Sequence, residues 1–407
     1  MPKLLQINSV VNKGSTGRIV EQIGEFVMKN GWESYIASGR DSGESFSKTI
    51  KIGNSFDNKL HVLESRIFDN HGLSSRKPTI NLIKKIEEIK PDIIHLHNIH
   101  GYYLNYEILF DYFKTIKTPI IWTLHDCWAL TGHCSHFSDI KCNKWKSECS
   151  NCPKTQNYPK SFFLDKSTRN FHKKKKLFNS LDNLTIVTVS DWLSSIVNNS
   201  YLSALQIETI FNGVDLNIFK EYSDAENIKY KYKITEKVLL LGVSTTWQRG
   251  KGFYDFITLS ELLPSKYQIV LIGLTEEKIK KLPYNIIGLP RTENTKELAH
   301  FYFSADILLN LSYQETFGLS TVEANACGTP SIVYNCTASP ELITPKTGSI
   351  VQPGNINELI SSIENISSKG KKFYSKNCIE LVESKYNKNN KYNEFLQLYI
   401  QKLSKIN

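Results

Sequence analysis

Apolar and polar positions alternate in two rhythms along this chain. "KLLQINSV" reads as a buried strand, "GRIVEQIGEFVMKNG" as an amphipathic helix closed by glycine, and "ESYIASG" as the next strand. "TINLIKKIEEIK" is helical, and Pro91 then opens the strand "DIIHLHN". "TPIIWTLHD" and "NLTIVTVSD" are further apolar strands. Strands that alternate with helices predict crossover units and parallel sheets covered on both faces.

Near Asn212 the pattern breaks at the turn pair Asn212-Gly213 and a polar stretch follows. A second series then starts with "KVLLLGVS" and "YQIVLIG" and continues through "NIIGLP", "DILLNLSY", "TPSIVYN" and "GSIVQP". The expectation is an α/β protein of two doubly wound, Rossmann-like halves. Residues 1-211 form the first and 212-384 the second, with a terminal helix, 385-407, packing back on the first.

Composition adds limits. At 407 residues the chain exceeds one ordinary core, and 40% apolar with 11% aromatic residues excludes disordered and collagen-like classes. No run approaches the roughly 18 to 20 apolar residues of a membrane span, and "MPKLLQINSVVNKGSTGR" lacks a secretory pattern, so a cytoplasmic location is expected. The net charge of +10 is mostly scattered lysine. Its one dense run, "RNFHKKKKLF", reads as a solvated helix face, or as a contact of Lys173–Lys176 with anionic lipid at the inner face of the cell membrane. Nucleic acid is not an expected partner, since no basic stripe interleaved with stacking aromatics recurs.

Ligands of open parallel sheets bind at the carboxyl ends of strands. The first strand is followed by "VNKGSTGR", where Gly14 and Gly17 open a helix whose amides could face an anion, or form a plain tight turn. "HLHNIHG" supplies His95, His97 and His100, and "TLHD" supplies His125 and Asp126 with Trp128 beside them; His125 ranks first as a functional residue. In the second half "GVSTTWQRGKGF" offers Arg249 and Lys251 on a glycine-rich loop able to neutralise a diphosphate. "QETFGLSTVEANACG" then sets Glu315 before a helix, Gly318 at its start and Glu323 inside it. Two carboxylates beside an anion site repel the ligand unless they accept hydrogen bonds from its hydroxyls, and a sugar nucleotide carries both groups.

Five of eight cysteines fall between Cys127 and Cys152, within an insertion spanning about 127-155. Cys134, Cys142, Cys149 and Cys152 are candidate ligands of a structural zinc ion, with free thiols as the alternative; His133 and His136 could replace a ligand.

"QETFGLSTVEANACGTP" resembles the Glu-x7-Glu motif of the retaining nucleotide-sugar glycosyltransferases of family 4, which have the GT-B fold. "PDIIHLHNIHG", "TLHD", "TVSDWL" and "FNGVDLNIF" extend the likeness over nearly the whole chain, most closely to bacterial enzymes that build O-antigen, colanic acid or capsule. The resemblance implies two Rossmann-like domains facing across a cleft, and transfer of a hexose from a UDP- or GDP-sugar to a saccharide or polyprenyl-diphosphate-linked acceptor with retention. It implies that Glu323 binds the ribose and Glu315 the donor sugar, while the backbone amides of Phe317, Gly318 and Leu319 meet sugar and phosphates. Lys251 would counter the diphosphate, Gly14 to Gly17 would face it, and His125 would sit near the reacting carbon. The family's usual arginine five positions before the lysine is Thr246 here, and Arg249 is the expected replacement. No Asp-x-Asp occurs, so no catalytic metal is expected. An epimerase, a phosphorylase or a non-catalytic saccharide-binding protein remain the alternatives.

Overall fold

The computed structural model describes residues 1–40, 42–222 and 228–405. The chain divides into two compact units, Met1–Phe211 with Lys391–Asn407, and Asn212–Asn390. The return to the first unit comes at Lys391, six residues later than the 385 expected from sequence. The helix Lys388–Ser404 begins before that point, because its first residues still serve the second unit. There Lys388 N–H donates to the Val214 carbonyl at 3.1 Å, and an alanine at Gly213 would bring its Cβ to 2.4 Å from the Lys388 Cα.

The first unit holds a seven-stranded sheet of order β3-β2-β1-β4-β5-β6-β7, parallel throughout. Its strands are β1 (Lys3–Asn8), β2 (Glu33–Ser38), β3 (Lys48–Lys51), β4 (Ile93–Leu96), β5 (Ile120–Leu124), β6 (Leu184–Thr188) and β7 (Gln206–Thr209). β1, β4 and β5 are almost wholly buried, as expected of strands covered by helices on both faces. Strand order reverses between β1 and β4, so the loops leaving their carboxyl ends splay apart and open a crevice.

The second unit repeats the plan with six parallel strands, in the order β10-β9-β8-β11-β12-β13. They are β8 (Val238–Val243), β9 (Tyr267–Ile272), β10 (Ile286–Leu289), β11 (Ile307–Asn310), β12 (Ser331–Tyr334) and β13 (Gly348–Val351). Its core joins Leu240, Ile269, Leu271, Leu309 and Ile332 from the sheet to Phe256, Leu359 and Ile363 from the covering helices. Here the order reverses between β8 and β11, the two strands that precede the basic loop and the glutamate loop.

The four-lysine run is not a single charged face. It lies on the helix Ser167–Phe178, where Lys174 is 1% exposed and Lys173 pairs with Glu107, leaving Lys175 and Lys176 exposed. The ammonium of Lys174 lies 3.4 Å from the Trp128 ring centroid and donates to the carbonyls of Trp128 (2.8 Å) and Thr131 (3.1 Å). Burial drops its pKa to about 7, with nearby Cys149 and Asp126 opposing. Helical periodicity turns one lysine in four consecutive positions inward whatever its charge.

Candidate functional site

In the second unit, two loops converge beside the β8/β11 switch. Leaving β8, the chain forms the single turn Arg249–Lys251 and reaches Gly252 at φ +69°, which starts the helix Phe253–Leu262. Only glycine fits there, because a Cβ would stand 2.2 Å from the Leu311 carbonyl oxygen. That close approach, with Tyr313 N–H donating to the Gly250 carbonyl at 3.0 Å, locks the basic loop against the one leaving β11. Lys251 Nζ consequently donates to Glu315 Oε1 at 2.7 Å, while Arg249 is exposed on the same turn.

Glu315 is fixed from its backbone side. Its N–H donates to Thr337 Oγ1 at 2.9 Å and its carbonyl accepts from Ala338 N–H at 3.2 Å. Phe317 is buried and packs edge-on to Tyr386 at 5.6 Å. Gly318, at φ +106°, caps the helix Leu319–Ala326 and, being glycine, brings no side chain to the amides of that first turn. Free amides at a helix start carry partial positive charge and suit an anion. Asn310 Nδ2 donates to Thr321 Oγ1 at 3.0 Å, pinning the helix start to the end of β11. Glu323 is buried and accepts from Tyr302 Oη at 3.0 Å. Its carboxylate is therefore held in a polar, hydrogen-bonded setting, one turn deeper than Leu319.

The first unit assembles a chain of imidazoles at the ends of β4 and β5. His95 is buried between Tyr399 Oη and Thr123 Oγ1, both 2.7 Å away. Gln6 Nε2 donates to the Val20 carbonyl, which leaves its Oε1 to accept from His97 Nε2 at 3.2 Å. Neutral His97 then accepts at Nδ1, so His125 Nε2 is the donor across their 3.1 Å contact. Burial lowers the His125 pKa to about 4, with Asp126 opposing and His100 adding to the fall. At neutral pH His125 is an uncharged imidazole whose Nδ1 is its acceptor end.

Asp126 faces elsewhere. Its Oδ2 lies 2.9 Å from His100 Nε2 and its Oδ1 accepts from Trp128 N–H at 2.8 Å. Burial raises its pKa, but the charge and hydrogen bond of His100 outweigh this and hold it down to about 2. His100 Nδ1 is in turn 3.0 Å from Tyr158 Oη, delivered by the far end of the cysteine-rich segment. Gly14 and Gly17 begin the helix Gly14–Lys29 after β1. A Cβ at Gly14 would meet nothing within 4 Å, whereas one at Gly17 would meet Val10 Cγ2 at 3.0 Å. Gly14 thus lies beside open space; Gly17 is a packing glycine whose carbonyl accepts from Asn12 N–H at 3.0 Å.

All eight cysteines are free thiols. Cys134 and Cys152 share a hydrogen bond, which, with burial opposing it, favours the thiolate of Cys152. Cys149 lies near both, and Cys142 near Cys149. Among the described residues no three His, Cys, Asp or Glu side chains stand where they could hold one metal ion. A buried pair also holds the segment, His133 Nδ1 to Asp69 Oδ1 at 2.7 Å. Asp69 Oδ2 also accepts from Lys166 N–H at 2.7 Å, tying the end of the helix Ser55–Phe68 to the start of Ser167–Phe178.

The family model described as Glycosyltransferase Family 4 matches residues 16–218, and that of Glycosyl transferases group 1 matches residues 224–381. The chain is a family 4-like GT-B glycosyltransferase. A curated relative is the putative colanic acid biosynthesis glycosyl transferase WcaC of Escherichia coli (strain K12), 21% identical over 88% of this chain and 89% of its own length. Among solved structures, sucrose-phosphate synthase from Thermosynechococcus elongatus has a TM-score of 0.74 at 17% identity, covering 98% of this chain and 99% of its own. HepE of Anabaena in complex with UDP and glucose has a TM-score of 0.68 at 14% identity, covering 98% and 100%.

In this glycosyltransferase the fold brings together Lys251, Glu315, Phe317, Gly318 and Leu319, and keeps Arg249 on the same turn as Lys251. Glu323 lies one turn further along the same helix, bonded to Tyr302. Thr337, Tyr302, Asn310 and Tyr158 are supporting residues that sequence reading missed. Each is distant in sequence from what it holds and carries no motif of its own. The His100–Asp126 pair was within reach, because both residues lie in the loops that follow adjacent parallel strands.

Proposed function

We infer that this glycosyltransferase moves a hexose from a UDP- or GDP-sugar to a saccharide carried on polyprenyl diphosphate, with retention of anomeric configuration, in bacterial surface-polysaccharide synthesis. The observation that carries the reading is the Lys251–Glu315 pair, 2.7 Å apart, on the two loops that flank the strand-order reversal of the second unit. A cation and a glycine-capped helix start serve a diphosphate there, and a carboxylate serves sugar hydroxyls. The UDP and glucose bound by HepE favour a nucleoside diphosphate sugar as donor, and the role named for WcaC favours surface polysaccharide.

The reaction breaks the bond between the anomeric carbon and the diphosphate oxygen. Charge grows on that oxygen as the sugar becomes cation-like, so fixed positive groups lower the barrier: Lys251, Arg249 and the amides at Gly318 and Leu319. Glu323 takes the ribose hydroxyls and Glu315 those of the hexose. His125 accepts a hydrogen bond from a hydroxyl near the reacting carbon. No side chain here is cast as a nucleophile; the acceptor oxygen enters on the face the diphosphate leaves, and the departing phosphate takes its proton. No divalent metal is required by this scheme, and the work is done at the inner face of the membrane.

The test incubates the protein with labelled UDP- and GDP-sugars and polyprenyl-diphosphate saccharides, and reads the anomeric configuration of the product by NMR. Glu323→Ala is expected to raise the donor KM, and Glu315→Ala mainly to lower kcat. Interconversion of free nucleotide sugars without transfer, or an inverted product, overturns the reading.

A further inference from the structure

On leaving β12 the chain turns sharply. Cys336 N–H donates back to the Tyr334 carbonyl at 2.8 Å, and Thr337 follows at φ +50°. That is the left-handed region, which L-residues enter at a cost and which crowds a β-branched side chain most. Among the described residues, the other non-glycine positions of positive φ carry Asn, Asp, Ser, Lys or Tyr; Thr337 alone is β-branched. Glycine or asparagine would fill this turn with less strain. Strain of this kind persists where the surroundings hold it, and it concentrates at functional sites.

The hydroxyl is what a glycine could not supply. Thr337 Oγ1 accepts from Glu315 N–H at 2.9 Å and hydrogen-bonds in turn to Cys336 Sγ. Cys336 Sγ–H donates to the Ser312 carbonyl at 3.2 Å. Burial, with Glu315 adding to it, pushes the pKa of that thiol up to about 11, so it keeps the proton it donates. Ala338 N–H closes the other side of Glu315, donating to its carbonyl at 3.2 Å. Residues 336, 337 and 338 thus grip Ser312 and both backbone polar groups of Glu315. The Ala338 contact is made by backbone and does not depend on the side chain at 337; the contact with Glu315 N–H does. The carboxylate held in this way is the one that meets Lys251 Nζ at 2.7 Å.

We propose that Thr337 is a positioning residue for the transfer reaction: its hydroxyl, presented by a strained turn, fixes the Glu315 backbone and so aims the carboxylate at the donor hexose. The proposal rests on the role given to Glu315 above. Its consequence is that stability and turnover separate at position 337, because the turn costs the fold what the hydroxyl gives the site.

Three substitutions in the full chain divide the two effects. Thr337→Val keeps the branch and removes the hydroxyl, Thr337→Gly removes both, and Thr337→Ser keeps the hydroxyl without the branch. Each is melted, and each is assayed for transfer with labelled UDP- and GDP-sugars and polyprenyl-diphosphate saccharides. The glycine variant should melt roughly 2–4 °C above the valine variant, because the strain is gone. Both should nevertheless lose kcat by the same factor, about fivefold, as one hydrogen bond is worth. The serine variant restores most of the rate. Hydrogen exchange at the Glu315 amide should be fast in the valine and glycine variants and slow in wild type and the serine variant. In a Glu315→Ala background, Thr337→Val should lower kcat no further, since the group it positions is absent. The proposal is overturned if kcat follows the melting temperature across the three variants, if valine and glycine variants melt alike, or if Thr337→Val costs as much without the carboxylate as with it. Wild-type kcat in Thr337→Val beside a loss in Glu315→Ala overturns this proposal alone. Wild-type kcat in Glu315→Ala overturns the donor-site reading, and this proposal with it.

Discussion

Replacing Lys251 by methionine removes one charge and one partner of Glu315 while keeping much of the side chain's length. In the unliganded protein this pair is partly open to water, with 32% of the lysine and 18% of the glutamate side chain exposed. Screening at that exposure limits its worth to folding to about 1 kcal/mol or less, so the melting temperature should move little. A bound diphosphate gives the ammonium a better acceptor. A charge-assisted hydrogen bond contributes roughly 1.5–3 kcal/mol, and the open setting favours the lower end, about a tenfold loss of nucleoside diphosphate affinity. Glu315→Gln should act in the opposite direction: it releases Lys251 and removes a negative charge beside the phosphates, so UDP or GDP binds more tightly while turnover falls. Isothermal titration with the nucleoside and its diphosphate separates these effects, because the nucleoside lacks the groups in question and its affinity should not change. The reasoning fails if both substitutions shift diphosphate affinity in the same direction, or if nucleoside and diphosphate are affected alike.

Acid should unfold the first unit early. His61, His71, His95 and His97 are buried and kept neutral, chiefly by loss of solvation, His61 with its pKa down to about 3. The unfolded chain binds more protons between those values and about pH 6.5, so stability is present above pH 6.5 and lost as pH falls, on the order of 1 kcal/mol per histidine per unit. A urea midpoint that stays flat from about pH 7.5 to pH 5 would contradict this. Asp69→Ala leaves the His133 imidazole and the Lys166 amide without their buried acceptor and should cost about 3–5 kcal/mol in urea unfolding; a loss under about 1 kcal/mol would show that the pair is not an anchor. Gly252→Ala drives a methyl toward the Leu311 carbonyl and should weaken UDP or GDP binding by moving Lys251. Gly14→Ala, at a similar positive φ with nothing nearby, should show only the roughly 1–2 kcal/mol backbone cost in a melt. Equal effects of the two on nucleotide affinity would refute the close-packing argument.

Local order was written into the sequence, because strand and helix periods are properties of neighbouring residues. The buried runs at β1, β4, β5, β8 and β11, the break at Asn212, and the placing of Lys251, Glu315 and Gly318 just past strand ends were all legible one residue after another. Tertiary structure decided what depends on partners far along the chain. It paired Glu323 with Tyr302, His133 with Asp69 and His100 with Tyr158, and it returned the terminal helix to the first unit at Lys391. It also turned Lys174 inward and the apolar side chains of Ser55–Phe68 outward, against what their types suggest. Hydrophobicity predicts burial only on average. Which face of a helix meets the core is fixed by the elements that flank it, and those are brought there by folding, not by adjacency in the chain.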